Sequence, residues 1–245
     1  MTEGRSADRL ERFRAARAAV LARIEAASLR AGRDPSGVTL IAVSKTVDVD
    51  TIRDALAAGL DLLGENRVQE AEAKAPLVPG GRWHLVGPLQ GNKVRRALDV
   101  FEVIQSVDSV GLAERIDRLA RERRPGEGGP GEAYPVLLQV NVDGDPAKAG
   151  FDPGSLGAEI GRITALLSIN VRGLMTIGQL VPEAEAARPT FRRLRELSLA
   201  LRETGARLGP ELSMGMTDDF EVAVEEGATI VRVGRALFGE RVVAG

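Results

Sequence analysis

Short apolar runs alternate with helical segments along the sequence, and this alternation constrains the fold more than any other feature. Eight runs are predicted to be strands, at residues 38–44, 61–64, 82–86, 100–104, 136–141, 171–175, 211–214 and 229–233. The segments between them have apolar residues at helical spacing and are long enough to connect parallel strands. Eight such units in about 250 residues favour a closed (β/α)8 TIM barrel over an open doubly wound sheet.

A long amphipathic helix is predicted before the first strand, over about residues 5–31. Only residues 236–243 are available for a helix after the eighth strand, so we expect the N-terminal helix to cover the barrel there. A Gly- and Pro-rich stretch, PGEGGPG at 125–131, is predicted to be a loop at the N-terminal end of the barrel. Residues 1–245 are therefore expected to form a single domain.

The composition excludes several classes of function. The 33 Lys and Arg nearly balance the 35 Asp and Glu, which gives no sequence-wide attraction to nucleic acid or anionic membranes. With no cysteine and one histidine, His84, neither disulfides nor a typical zinc site is expected, and we predict no metal site. The charged N-terminus does not resemble a signal peptide, and no apolar run reaches the ~18 residues of a membrane helix. We therefore expect a cytoplasmic protein.

Lysine is scarce, since it contributes only Lys45, Lys74, Lys93 and Lys148 to the 33 basic residues. Arginine cannot supply a nucleophilic amine, whereas a desolvated lysine can. Lys45 directly follows the first predicted strand, where apolar walls could desolvate its amine. A solvated surface position is the alternative for all four lysines.

Two other strand ends resemble an anion site. Ser213, Gly215 and Thr217 follow the seventh predicted strand, and Gly234 follows the eighth. Barrel enzymes commonly bind phosphate at these two loops. An ordinary turn is the alternative, because the neighbouring residues 218–219 are acidic and would repel a phosphate unless they turn away. Together with a strand-end lysine, this pattern indicates a phosphorylated carbonyl compound held as an imine.

Arg232 lies within the eighth predicted strand, between two valines. Alternation along a strand places its side chain on the opposite side from the valines, inside the barrel mouth. A buried charge needs a partner, which is either a carboxylate or a ligand acceptor such as an unprotonated ring nitrogen.

Several longer motifs stand in a fixed order along the chain. They are IAVSK at 41–45, GENRVQE at 64–70, WHLVGPLQ at 83–90 with NK at 92–93, GLMTIG at 173–178, LSMGM at 212–216 with DF at 219–220, and IVRVG at 230–234 with FG at 238–239. Together they resemble the pyridoxal phosphate homeostasis protein family. Members of this family are similar to the barrel domain of alanine racemase standing alone.

The resemblance implies that the chain binds pyridoxal 5'-phosphate (PLP) and that Lys45 forms an imine with it. It also implies that Arg232 faces the pyridine nitrogen. The other implied contacts are Asn66, His84 and Met214 along the cofactor, and Ser213, Thr217, Gly234 and the Arg235 backbone at the phosphate. The family often has a small hydroxyl residue in place of Arg235, and residues 141–148 also depart from its usual pattern. His84 is expected to orient the cofactor and is not assigned as a general base.

The implied function is intracellular homeostasis or delivery of PLP without turnover, with apo forms of PLP-dependent enzymes as possible recipients. The alternative is a PLP-dependent enzyme similar to an amino acid racemase, which needs a second acid or base opposite the lysine. The one tyrosine, Tyr134, is predicted at the opposite end of the barrel. A third hypothesis is a class I aldolase acting through Lys45. We expect a monomer.

Lys148 lies in the loop after the fifth predicted strand, which places it at the same end of the barrel as Lys45. Gly144 and Gly150 bracket this loop and favour mobility. One hypothesis is that Lys148 approaches the cofactor and loosens the imine. The alternative is a solvated lysine paired with Asp143 or Asp145.

Overall fold

The computed structural model describes residues 2–123, 133–179 and 181–239, and their strands form a closed parallel barrel. Each strand pairs with its neighbours in the sequence, and the last pairs with the first. The strands are β1 (Thr39–Val43), β2 (Leu62–Glu65), β3 (Arg82–Leu85), β4 (Val103–Val107), β5 (Tyr134–Gln139), β6 (Ile169–Met175), β7 (Glu211–Ser213) and β8 (Ile230–Val233). The predicted (β/α)8 barrel is confirmed.

The helices surround this barrel, and two of them begin at an aspartate that caps the first turn. They are α1 (Thr2–Arg30), α2 (Val49–Ala57), α3 (Val68–Lys74), α4 (Val94–Val100), α5 (Val110–Arg123), α6 (Pro153–Thr164), α7 (Arg188–Glu203), α8 (Phe220–Glu225) and α9 (Arg235–Phe238). The carboxylates of Asp48 and Asp152 accept hydrogen bonds from the amides of Thr51 and Ser155. These bonds satisfy amide groups that a helix N-terminus leaves unpaired.

The apolar core has two layers because successive strand residues point to opposite faces of the sheet. The larger layer lies between the strands and the surrounding helices. The smaller layer lies inside the barrel and consists of Ile41, Leu62, Leu137, Met175 and Ile230. This inner layer fills part of the barrel with apolar side chains, and it adjoins the polar groups of the interior.

Helix α1 packs against α8, α2 and α9, beside the seam where β8 meets β1. Its buried face includes Phe13, whose ring meets that of Phe238 edge-on with centroids 5.5 Å apart. On the same side, the Arg23 guanidinium lies 4.4 Å above the centroid of Phe220. The short α9 leaves this part of the barrel to α1, as the sequence predicts.

The predicted fourth strand, at 100–104, is wrong in position. The amide of Phe101 donates to the carbonyl of Ala97, so the helix continues to Val100. Pairing with β3 begins where the Glu102 amide donates to the Trp83 carbonyl, and β4 occupies Val103–Val107. An apolar run of this length fits either a helix end or a strand start, and tertiary pairing decides between them.

The other strand boundaries agree with prediction to within two residues. Between β6 and β7, a short 3-10 segment, Ala184–Ala187, precedes α7, which has a proline in its first turn. The loop predicted at 125–131 lies outside the described residues.

We expect Gly173→Ala to lower the free energy of unfolding by about 2–3 kcal/mol, because it forces β6 and β7 apart. A Cβ at Gly173 would lie 1.9 Å from the carbonyl oxygen of Glu211 on β7. The matched control is Gly157→Ala in α6, where a Cβ has no neighbour within 4 Å. It should stabilise the protein by about 0.5–1 kcal/mol through helix propensity. Urea midpoints at unchanged slope measure both effects, and equal midpoints would contradict the prediction.

Candidate functional site

The carboxyl ends of the eight parallel strands form one rim of the barrel, and the predicted site residues gather at or below it. Lys45 follows β1 and is half-buried, and Asn66 follows β2. The loops after β7 and β8 bring Thr217 and Gly234 to the same rim. A Cβ at Gly234 would lie 3.5 Å from the carbonyl oxygen of Val43, so the end of β8 adjoins the chain just before Lys45.

Asn66 is held by close backbone packing with the loop after β3. A Cβ at Gly87 would lie 2.4 Å from the carbonyl oxygen of Asn66. Only a glycine allows the two loops to approach so closely. The glycine of the WHLVGPLQ motif therefore fixes the backbone position of Asn66.

A chain of hydrogen bonds crosses the barrel interior just below the rim. The Arg232 guanidinium on β8 donates to the hydroxyl of Ser213 on β7 at 2.6 Å. That hydroxyl donates to Oε1 of Gln105 on β4 at 2.6 Å, and Nε2 of Gln105 lies 2.9 Å from Nδ1 of His84 on β3. Arg232 also donates to the carbonyl of Thr176 at 2.7 Å. All four side chains in the chain are buried, so three of the predicted site residues are joined through a residue that was not predicted.

The direction of every bond in this chain follows from Arg232, because a guanidinium can only donate. Ser213 must then donate onward to Gln105, and the amide of Gln105 must donate to His84. Nδ1 of His84 is therefore the acceptor, and the proton of the neutral ring lies on Nε2. Burial lowers the pKa of His84 to about 3, with Arg172 and Arg82 adding to the effect. The ring is neutral at physiological pH, which agrees with an orienting role.

Arg232 keeps its charge although it is buried. Burial lowers its pKa to about 10, and the nearby Asp219 carboxylate opposes the shift. Its direct hydrogen-bond partners are the hydroxyl of Ser213 and the backbone carbonyl of Thr176. Both partners are neutral, and among the described residues no carboxylate is hydrogen-bonded to this guanidinium.

Ser213 and Met214 lie deeper than a phosphate contact at the rim requires. The Ser213 hydroxyl is engaged by Arg232 and Gln105. Met214 is fully buried in the core layer between strands and helices. Their assignments to the phosphate and the cofactor edge stay predictions.

The loop after β7 turns its two acidic residues in different directions. Asp218 is exposed and pairs with the guanidinium of Arg235, which is also exposed. Asp219 is buried, and its carboxylate accepts from the Met216 amide at 2.6 Å. The hydroxyl of Thr217 accepts from the Gly234 amide at 3.3 Å, which joins the two predicted phosphate loops. The Arg235 side chain therefore swings out, and only its backbone stays beside the predicted phosphate position.

The remaining lysines occupy different environments. Lys74 is buried in an ionic cluster behind Lys45, contrary to a solvated position. Lys93 is half-buried in the short 3-10 segment after β3. Nζ of Lys148 lies 3.3 Å from the carbonyl oxygen of Ile177 and 3.7 Å from a carboxylate oxygen of Asp145. Lys148 thus has both the predicted local ion pair and a position close to the rim.

Sequence reasoning missed Gln105, Thr176 and the partners of Lys74. Gln105 was hidden because the fourth strand was placed too early, although a glutamine in a short strand that begins and ends with apolar residues is itself a signal of an interior polar group. Thr176 takes part through its backbone carbonyl, which no side-chain pattern reveals.

The described residues were also compared with the patterns of membrane-spanning helices and of metal sites. No helix in residues 2–123, 133–179 and 181–239 is long and apolar enough to cross a membrane. Those same residues hold no cluster of three or more potential metal-ligating side chains.

Comparisons with known proteins match most of the chain. The family model described as alanine racemase, N-terminal domain, matches residues 15–242. A curated relative from Pseudomonas aeruginosa, named pyridoxal phosphate homeostasis protein, is 44% identical over 231 residues, covering 91% of this chain and 94% of the relative. The chain belongs to the pyridoxal phosphate homeostasis protein family.

Other members of the pyridoxal phosphate homeostasis protein family are similarly close. The protein of that name from Aquifex aeolicus is 43% identical over 225 residues, covering 91% of this chain and 95% of the relative. The protein from Escherichia coli is 36% identical over 226 residues, covering 89% of this chain and 92% of the relative. The family resemblance carried by the sequence motifs is therefore confirmed.

Solved structures show the same architecture. PipY of Synechococcus elongatus, solved with PLP bound, has a TM-score of 0.76 and 44% identity, covering 90% of this chain and 100% of PipY. A protein from Bifidobacterium adolescentis has a TM-score of 0.84 and 39% identity, covering 94% of this chain and 96% of that protein. An alanine racemase from Clostridium difficile has a TM-score of 0.69 at 17% identity, covering 91% of this chain and 56% of the racemase, which shows a shared fold.

The neutral state of His84 can be tested directly, since it is the one histidine of the sequence. We expect its ring signals in NMR spectra to stay unchanged between pH 5 and 8, because burial lowers its pKa to about 3. A titration centred near the ordinary value of about 6.5 would contradict this.

The same pKa shift has a consequence for stability. In the unfolded chain His84 binds a proton near pH 6.5, whereas in the folded chain it does so only near pH 3. The contribution of neutral His84 to the free energy of unfolding is therefore fully present above about pH 6.5 and is lost as the pH falls from 6.5 towards 3. His84→Asn, which keeps an acceptor for Gln105, should show a weaker loss of stability on acidification than the wild type.

Proposed function

We propose that this chain binds PLP at the barrel rim and acts in its homeostasis or delivery. The observation that carries the proposal is the buried Arg232, a permanent hydrogen-bond donor that lies inside the barrel on the strand paired with β1, which Lys45 follows. The names of the curated relatives and the PLP-bound PipY structure support the choice of ligand.

The residues at the rim fit the three polar ends of PLP. Lys45 supplies an amine for the aldehyde, and the joined loops of Thr217 and Gly234 supply hydroxyl and amide groups for the phosphate. Arg232 is bonded to Ser213 and Thr176, and a guanidinium has five N–H donors, so it has further donors for a ring nitrogen above it. Asn66 at the rim and the neutral His84 just below it orient the ring.

PLP supplies an aldehyde that reacts with amines in general. We propose that the amine of Lys45 condenses with this aldehyde to form an imine and release one water molecule. This bond keeps the aldehyde from other amines, and its hydrolysis returns both groups unchanged. Covalent holding at one lysine suits a protein that stores and delivers a reactive compound.

A carrier without turnover is favoured over a racemase by two features. Tyr134 lies at the start of β5, at the opposite end of the barrel, and its hydroxyl donates to the carbonyl of Phe101. Burial raises its pKa well above the ordinary value, so the phenol stays protonated at physiological pH and cannot accept a proton. Arg232 donates to a ring nitrogen and keeps it unprotonated, which weakens the electron sink that racemisation uses.

The proposal also covers the location, the oligomeric state and the partners of the protein. We expect a cytoplasmic monomer made of a single domain, with apo forms of PLP-dependent enzymes as recipients. The near balance of charge favours neither nucleic acid nor a membrane as partner.

The Lys45 assignment predicts that Lys45→Ala abolishes the imine while weaker, non-covalent binding through the phosphate loops persists. The visible spectrum of protein mixed with PLP, followed by borohydride reduction and peptide mass analysis, measures the bond and its position. Lys93→Ala is the matched control, because it removes another half-buried lysine and should retain the spectrum. An unchanged imine band in Lys45→Ala would refute the assignment.

The position of Tyr134 at the opposite end of the barrel from Lys45 predicts no appreciable racemase turnover with alanine or other common amino acids. The measurement is loss of optical activity or exchange of the α-proton with deuterium in the PLP-loaded protein. Racemisation at ordinary enzyme rates, ~1 to 1,000 per second, would favour the racemase-like alternative.

A further inference from the structure

A buried ionic cluster lies directly behind Lys45, between the barrel wall and α3. It consists of Lys74, Glu65, Glu70 and the side chain of Ser44, and we call it the Lys74 cluster. Nζ of Lys74 donates to Oε1 of Glu65 at 2.7 Å, to Oε1 of Glu70 at 2.7 Å and to the Ser44 carbonyl at 2.9 Å. A lysine ammonium has three N–H donors, and all three are used here.

The cluster contacts both peptide groups that flank Lys45. The carbonyl of Ser44, on one side, accepts from Lys74. The amide of Thr46, on the other side, donates to Oε1 of Glu70 at 2.5 Å. The hydroxyl of Ser44 adds a third tie, since it donates to Oε1 of Glu65 at 2.9 Å. The backbone of Lys45 is therefore fixed on both sides by one charged group of residues.

The backbone beside Lys45 also has an uncommon conformation. Thr46 has a φ of 65°, and it is the one residue other than glycine with a positive φ in the described ranges. A β-branched residue is disfavoured in this region, at a cost of the kind that functional sites carry. The hydroxyl of Thr46 donates to the carbonyl of Lys45 at 2.6 Å, and the Glu70 bond holds its amide. The cluster thus maintains a turn that the sequence would otherwise avoid.

The cost of burying the charges of this cluster indicates that it has a role other than stability. Burial raises the pKa of Glu65, and the hydrogen bond from Lys74 opposes that shift without cancelling it. Burial also pushes up the pKa of Glu70, but hydrogen bonds from Lys74 and the Thr46 amide outweigh it and leave the pKa below its ordinary value. Oε2 of Glu65 is buried and has no hydrogen-bond partner among the residues described. An apolar core would avoid these desolvation costs, so stability alone does not account for the cluster.

We infer that the Lys74 cluster positions Lys45, so that its amine enters the barrel mouth at the geometry that imine formation needs. Lys74, Glu65 and Glu70 are positioning residues, since each acts through the peptide groups next to Lys45. This inference rests on the proposed function.

The first experiment compares Glu70→Ala with two controls. Glu70→Gln keeps an oxygen that can accept from Thr46 and Lys74, and it should form the imine nearly as well as the wild type. Glu72→Ala removes a carboxylate from the same helix that pairs with Arg96 on the other side, away from Lys45, and should leave imine formation unchanged. Glu70→Ala should lower the equilibrium constant for imine formation with PLP by roughly 10-fold, since small misplacements of reacting groups have large effects.

A double-mutant cycle separates positioning from a general structural effect. In the Lys45→Ala background, Glu70→Ala should leave non-covalent PLP binding unchanged, because the phosphate loops lie on other strands. Equal losses in both backgrounds, or no loss in either, would overturn the inference. If the wild type itself forms no imine, the proposed function fails instead.

A second measurement needs no ligand and no variant. Hydrogen exchange of the Thr46 amide in the wild-type protein should be slowed at least ~10-fold relative to an unstructured peptide, although Thr46 is exposed, because its amide is bonded to Glu70. Exchange at the peptide rate would show that the bond does not hold in solution and would overturn the inference, even if Glu70→Ala fails to fold.

Discussion

Pairing between β8 and β1 is the interaction on which the rest of the structure depends. Four residue pairs join these strands, from Thr39 with Ile230 to Ala42 with Val233. Because the pairing is parallel and closes the sheet, the two ends of the fold deliver Lys45 and Gly234 to one rim. The same register sets Ile41 opposite Arg232, which places the guanidinium inside the barrel, next to the strand that leads to the lysine. A shift of one residue would turn Arg232 outward and separate the two groups.

The barrel interior combines an apolar cluster with a network of polar side chains. The apolar cluster includes Ile41, Met175 and Ile230. In the polar network, hydrogen bonds run from Arg232 through Ser213 and Gln105 to His84, and each side chain accepts a hydrogen bond from the one before it. A buried polar layer is tolerated only when its groups are paired, and a fully paired layer is rigid. The site is therefore arranged before any ligand arrives, which lowers the cost of binding.

The sequence was sufficient to predict the barrel, the covering role of α1 and the rim positions of Lys45 and Gly234, because strand alternation and parallel topology determine them. It was insufficient where a side chain depends on a partner distant in sequence. Lys74 lies on a helix rich in polar residues and was assigned no special environment, whereas Glu65 on β2 draws it into the core. Gln105 was missed because a local apolar run does not show where a helix ends and a strand begins. Neither contact has a signature within a short window of residues.

The packing of α1 on α8 has a consequence for the synthesis of the protein. The apolar face of α1, including Val20 and Ile24, emerges from the ribosome first, but its partner Phe220 follows about 200 residues later. At ordinary rates of translation this interval lasts roughly 10 to 40 s. During that time the apolar face of α1 is not yet packed against α8. The nascent chain therefore completes the packing of α1 only when the last part of the barrel is made, although α2 is available early.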